Sequence, residues 1–288
     1  MRTSWPAGPL RRVTATVGEA RPLPLQRLLG GAILAVASLI GLGSFFYPFL
    51  LPPNAEGGGM AAMAHAHDAP LVFALLVILC LGAVLSSLSS GAMNAKLVAV
   101  LGVLTAANAV LRGVPGPAGF NLVFILPILC GYVYGPTFGF LLGVFSLAVS
   151  AFIGFGVGPW LPYQMFSAGW VGLLSGWLPH LGKTPRAEAL LLALWGLVLG
   201  FGFGVLMNVY FWPYILSPGQ SEMYWQPGMG ALEVLKRYAV FYAVTSLWWD
   251  LARAAGNFVL LLLFAAPVVR LLRRFQRRFF FETLGAAG

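Results

Sequence analysis

"GFNLVFILPILCGYVYGPTFGFLLG", Gly119 to Gly143, is apolar enough to lie in lipid, yet Asn121, prolines at 127 and 136 and repeated glycines interrupt it. Glycine lacks a Cβ, so helices that place it at their contact bring their backbones close together. Proline at the start of a helix occupies a position whose N–H would have no partner anyway. The stretch therefore predicts two membrane helices joined by a tight turn and packed closely, with Asn121 at the outer start of the first, facing a cavity rather than lipid.

Composition extends that reading to the whole chain. Of 288 residues, 59% are hydrophobic and only 9% charged, and mean hydropathy is +0.86. A water-soluble core of this length cannot hide so much apolar surface, which makes this an integral membrane protein. The apolar runs do not alternate with polar residues, which excludes a β-barrel. Runs long enough for ~30 Å of hydrocarbon fall at 29–51, 71–90, 97–112, 119–135, 138–157, 160–179, 188–212 and 247–269. The expected fold is all-α, with about eight transmembrane helices.

An even number of crossings puts both termini on one side, and charge identifies it. Arg2, Arg11, Arg12, Arg21, Arg27, Lys96, Lys183, Arg186, Arg270, Arg273, Arg274, Arg277 and Arg278 share one face, against Arg112, Lys236, Arg237 and Arg253 elsewhere. The positive-inside rule makes the first face cytoplasmic, in a multi-pass protein of the plasma membrane. The net charge of +9 then needs no nucleic-acid partner. Topology and anionic headgroups account for it, and the terminal "RLLRRFQRRFFF" suits the inner leaflet. The first apolar run has no nearby small-residue cleavage site and is expected to be retained.

Enzyme signals are weak. "LGKT" at 181–184 resembles the end of a phosphate loop, but Trp177 stands where the first glycine is required, so no ATP site is expected. "MAAMAHAHD", Met60–Asp68, gathers possible soft and imidazole ligands. His65 and His67 stand on a Gly/Ala-rich loop, expected to be mobile and solvated, so neither a metal nor a cofactor is assigned. His180 is expected at a helix end near the headgroups. Cys80 and Cys130 fall within spans and behave as apolar groups. No hydrolytic triad is visible, and Asp250 is the one acid placed inside a span.

Polar side chains in lipid mark sites or paired structural groups, and here they share a level. Asn108, Arg112, Asn121, Gln164, Asn208, Asp250, Arg253 and Asn257 all lie toward the outer leaflet. Thr105, Asn108 and Arg112 form one helical stripe; Ser246, Asp250, Arg253 and Asn257 form another. Asp250 and Arg253, one turn apart, are expected to neutralise each other. Trp160, Tyr163, Tyr210, Trp212, Tyr214, Tyr224, Trp225, Trp248 and Trp249 gather at the same level, as an interfacial belt or as pocket walls. Among them Trp160 and Trp248 join the candidate substrate contacts. Ala99, Gly102, Ala106 and Ala109 make a small-residue seam on the third span, suited to close approach by another helix, within the chain or in a partner.

The segment "LTAANAVLRGVPGPAGFNLVFILPILCGYVYGPTFGFLLGVFSLAVSAFIGFGVGPWLPYQMFSAGWVGLLSGWLP" and the later "TSLWWDLARAAGN" resemble the substrate-specific S components of energy-coupling factor (ECF) vitamin transporters. The resemblance implies a six-helix substrate-binding core at 97–270, preceded by two extra helices at 29–96, with basic cytoplasmic tails at 1–28 and 271–288. It further implies capture of a vitamin or related micronutrient from outside, for ATP-driven uptake by a membrane scaffold T subunit and two ATPase subunits. Cobalamin, thiamin-like and riboflavin-like ligands all stay open. The small-residue seam matches that family's scaffold-docking helix only approximately, and Arg2 replaces the histidine of its metal-specific members. The alternative is a stand-alone secondary carrier or channel for a small organic solute, against which the lack of an inverted repeat weighs.

Overall fold

A computed structural model describes residues 24–50, 65–117, 120–181, 184–214 and 223–280. The N-terminal tail to residue 23, Met60 and Met63 of the histidine loop, Lys183 and the chain after 280 fall outside those residues. The described chain is helical: α1 (Pro24–Leu50), α2 (Ala69–Ser89), α3 (Ala95–Leu111), α4 (Ile125–Tyr134), α5 (Pro136–Ser150), α6 (Leu161–Ser175), α7 (Pro185–Phe211), α8 (Ala231–Thr245) and α9 (Leu247–Phe280). Five segments are long and apolar enough to cross a membrane: Leu29–Leu50, Ala69–Ser89, Pro136–Phe155, Pro185–Tyr214 and Leu247–Arg277. The apolar α3 and α4 are shorter.

The opening stretch folds for the reason its glycines suggest. Gly135 alone separates α4 from α5; its φ of 99° lies where side chains are strained, and Pro136 then starts α5. Gly131 of α4, Gly139 and Gly143 of α5 and Gly172 of α6 meet at one crossing. A Cβ on Gly172 would strike the Gly139 carbonyl oxygen, and one on Gly143 the backbone of Ala168. These contacts, not propensity, hold the centre of the bundle. Around them Phe138, Phe140, Leu141, Ile128, Leu129 and Phe166 are fully buried.

A second glycine stripe pairs α7 with α9. Gly196, Gly200 and Gly204 recur every four residues, and a Cβ on them would meet Leu261, the Ala254 backbone (2.8 Å) and the Asp250 carboxylate, respectively. The first two helices are built onto the rest of the bundle: a Cβ on Gly41 of α1 would lie 2.7 Å from the Phe166 ring of α6. Trp170 Nε1 donates to Ser38 Oγ at 3.1 Å, and α2 buries Val72, Leu76, Cys80 and Ala83 on one face.

One element was absent from the sequence reading. No continuous apolar run of spanning length lies between 212 and 247, yet α8 occupies 231–245. Its charged face, with Glu233, Lys236 and Arg237, hid it from a search for continuous apolar runs. Its apolar residue Phe241 closes a satellite cluster with Trp212 and Trp225.

Candidate functional site

α1, α3, α5 and α7 finish, and α2, α4, α6 and α9 begin, at one end of the bundle. The predicted polar residues do gather there, but in two groups with different surroundings.

The first group joins α3, α5 and α6. Arg112 caps α3 and donates through Nη1 to Ser150 Oγ (2.8 Å) and through Nη2 to Gln164 Oε1 (2.9 Å). Both partners are neutral, and no carboxylate pairs with this guanidinium among the described residues. Ser150 in turn donates to Leu147 O at 2.8 Å, which fixes the hydroxyl that Arg112 reads. Trp160, half-buried, immediately precedes α6 and so stands one turn before Gln164. Asn121 is half-buried, its Oδ1 accepting from Val123 N at 3.3 Å in a local turn. Beneath, Asn108 is sealed; its Nδ2 donates to Val123 O at 2.9 Å while Oδ1 has no partner among the described residues. A wide π-type turn, Ala151–Phe155, follows α5 and sets the Phe155 ring over Gly113.

The second group lies between α7 and α9, and here the expectation of an open cavity needs correction. The stripe of Ser246, Asp250 and Asn257 faces the α7 glycines. Ser246 Oγ donates to Asn208 Oδ1 at 2.7 Å, Asn208 Nδ2 to Gly204 O at 2.9 Å, and Asn257 Nδ2 to Gly196 O at 3.3 Å. Asn257 and Asp250 are buried because glycine lets α7 fill the space in front of them. Arg253 pairs with Asp250, as their spacing suggests, and its guanidinium also lies 5.2 Å from the Phe203 ring centre. Asp250 Oδ2 and Asn257 Oδ1 find no partner among the described residues. Phe124 and Phe203, 4.7 Å apart, link the two groups through the start of α4.

Other expectations shift as well. Trp248 is 70% exposed and faces away from both groups. The aromatic belt divides: Trp248 and Trp249 point outward, whereas Tyr163, Tyr210, Trp212 and Trp225 are buried. Ala99, Gly102 and Ala106 form an exposed face, with nothing within 4 Å of a Cβ on Gly102. Ala109 departs from that seam and is fully buried.

Two clusters escaped the sequence reading. At the opposite end Arg273 grips Glu188 through both nitrogens (2.6 and 3.0 Å), and Tyr132 donates to the same carboxylate at 2.5 Å. His180 stacks on Tyr132 at 4.6 Å and bonds its carbonyl at 2.7 Å, which ties this exposed residue, a few positions past α6, to the knot. Glu188 lies at the start of α7, so nothing in its local sequence forecast a partner 85 residues away. The second cluster corrects the expectation of a solvated histidine loop at one residue: His65 is only 2% exposed, seated among tyrosines of α1, α6 and α7, while His67 is exposed as expected.

The described residues form a multi-pass helical bundle with polar groups toward one end, among them an arginine whose recorded partners are neutral. Comparison with known families is more specific: the family model described as ECF transporter, substrate-specific component, matches residues 96–265. The chain belongs to that family, and is therefore a substrate-binding membrane subunit of a transporter, not an enzyme. No curated protein and no solved structure matches it.

Proposed function

We propose that this chain captures a vitamin or related micronutrient at the Arg112 end of the bundle and hands it to a T subunit and two ATPases for uptake. Eight crossings, made by α1 to α7 and α9, put both termini in the cytoplasm of the cell and open the Arg112 end to the outside. The family match beginning at residue 96 supports a core at 97–270 preceded by two accessory helices.

Arg112 carries the reading. A guanidinium drawn partly into the bundle and satisfied only by a hydroxyl and an amide retains its full charge for an anionic or strongly accepting ligand group. Gln164 bonds it directly, and Asn121 and Trp160, half-buried near the starts of α4 and α6, are the further candidate ligand contacts. Arg253 stands on the other side of the Phe124–Phe203 pair, its charge already matched by Asp250. Asn108, Asn208, Asp250 and Asn257 act as the polar scaffold behind these contacts, and Trp248 as a lipid-facing anchor. A ligand with a carboxylate, phosphate or amide edge fits; cobalamin and smaller heterocycles both offer one. The exposed Ala99–Gly102–Ala106 face is the surface for the T subunit.

The test is mass spectrometry of small molecules that co-purify with the chain, repeated on Arg112→Gln. One discrete ligand should be retained by wild type and held about 10-fold or more weakly by the variant. Retention unaffected by the substitution would move the site away from α3. Transport in liposomes holding this chain alone, without ATP, would favour a secondary carrier.

A further inference from the structure

The compartment around His65 is distinct from the Arg112 group and uses the accessory segment before α2. Four tyrosine rings enclose the imidazole: Tyr163 at 4.4 Å, Tyr214 at 4.8 Å, Tyr210 stacked at 4.9 Å and Tyr47 at 5.7 Å. They come from α1, α6, α7 and the turn after α7. Asp68, at the start of α2, completes the enclosure.

The polar atoms that meet the ring are acceptors. Nε2 lies 3.0 Å from the Tyr210 carbonyl oxygen, which can only accept, so this nitrogen carries a proton. Nδ1 lies 2.8 Å from Asp68 Oδ2 and 2.7 Å from the Tyr163 hydroxyl. Tyr163 donates its own proton to Asp68 at 2.6 Å, which leaves its oxygen to accept from Nδ1. Burial pushes the Asp68 carboxyl upward, but hydrogen bonds from His65 and Tyr163 outweigh it and hold the group below its ordinary range, as an anion. Both edges of one flat ring thus face acceptors, one of them a carboxylate, and the Tyr210 ring stacks on its face. Among the described residues no three His, Cys, Asp or Glu side chains gather to bind a metal ion.

We propose that this box is a recognition site for a planar heteroaromatic cation, occupied in the free protein by the imidazolium of the chain's own His65. The His65 ring, on the turn just before α2, is then a tethered ligand. His65 is the one non-glycine among the described residues with positive φ, 59°, a conformation that side chains seldom adopt and that the contacts of the ring help to hold. Tyr163 also precedes Gln164 on the first turn of α6, which places the occupant of the box one residue from the partner of Arg112.

The experiment uses the full chain in detergent with imidazole as probe. His65→Gly should lower the thermal midpoint, and millimolar imidazole near neutral pH should restore at least half of the loss. Pyrazole, a ring of the same size that is uncharged there, should restore none, and adding Asp68→Asn should abolish the imidazole rescue. Equal rescue by both rings, or none by either in folded protein, overturns the cation site. In wild type, imidazole in excess of the tethered ring's effective concentration, on the order of millimolar, should speed deuterium uptake at 65–68. Unchanged uptake would reduce His65 to a fixed staple and overturn the tethered ligand. Should His65→Gly fail to fold, the ¹⁵N-histidine spectrum of wild type decides: His65 should show both ring nitrogens protonated, and a neutral tautomer overturns the proposal.

Discussion

Arg112 and Arg253 have the same side chain at the same end of the bundle, and their partners separate their roles. Arg253 has a carboxylate and a phenylalanine ring; Arg112 has a hydroxyl and an amide. Asn257 illustrates the reverse correction, since its helical spacing pointed inward correctly but its neighbour is the α7 backbone. Asn257→Leu removes one weak bond and one unpartnered acceptor, so stability should change by no more than about 1 kcal/mol. Ligand retention should survive it, and its loss in a folded variant would return Asn257 to the pocket. Asp68 has a pH signature. Its carboxyl is held below the ordinary 3.8 in the folded state. The stability it contributes is therefore complete above 3.8 and falls away as pH drops through the lower folded value. Melting of wild type and Asp68→Asn between pH 3 and pH 7 should converge at the acid end; parallel curves would show that Asp68 carries no such linkage.

The helices depend on glycine at two interfaces, and each can be tested by adding a single methyl. Gly172→Ala drives a Cβ into the Gly139 carbonyl, with backbone on both sides and nothing able to rotate away. A loss of about 1–3 kcal/mol or more is expected, measured as a lower thermal midpoint in detergent. Gly102→Ala meets nothing within 4 Å and should leave the midpoint unchanged. If both variants melt alike, the α4–α5–α6 crossing is not where stability resides. The glycines of "GFNLVFILPILCGYVYGPTFGFLLG" were legible as close-packing residues because their spacing and the Gly135–Pro136 turn are local features. The α7 stripe was equally regular but went unread, because its partner lies some fifty residues away on α9.

For the whole molecule, the proposed docking face of α3 and the proposed ligand site at Arg112 can be tested separately. Ala99, Gly102 and Ala106 point out of the bundle while α1 and α2 are built onto α6, so the accessory helices leave this face open. Ala106→Trp should leave ligand co-purification intact and abolish co-purification of the T subunit and ATPases. Assembly that tolerates the tryptophan would place docking on another surface.

Class, all-helical character and the end of the bundle that carries most of the polar groups were legible in the sequence alone; the number of helices was not, since α8 lacks a continuous apolar run of spanning length. Lipid demands long apolar runs and satisfied backbone, and a charged or amide side chain within such a run is conspicuous wherever it falls. Asp250 and Arg253 were paired correctly for the same reason, since one helical turn is local geometry. What those side chains meet belonged to the tertiary structure. The imidazole of His65 is buried by tyrosines about 100 and 145 residues further on, and Glu188 is matched by an arginine at the far end of the chain. Asp250 and Asn257 face glycine instead of ligand. Contacts of that kind arise only when helices distant in sequence cross, and no local pattern of polarity records which helix will arrive.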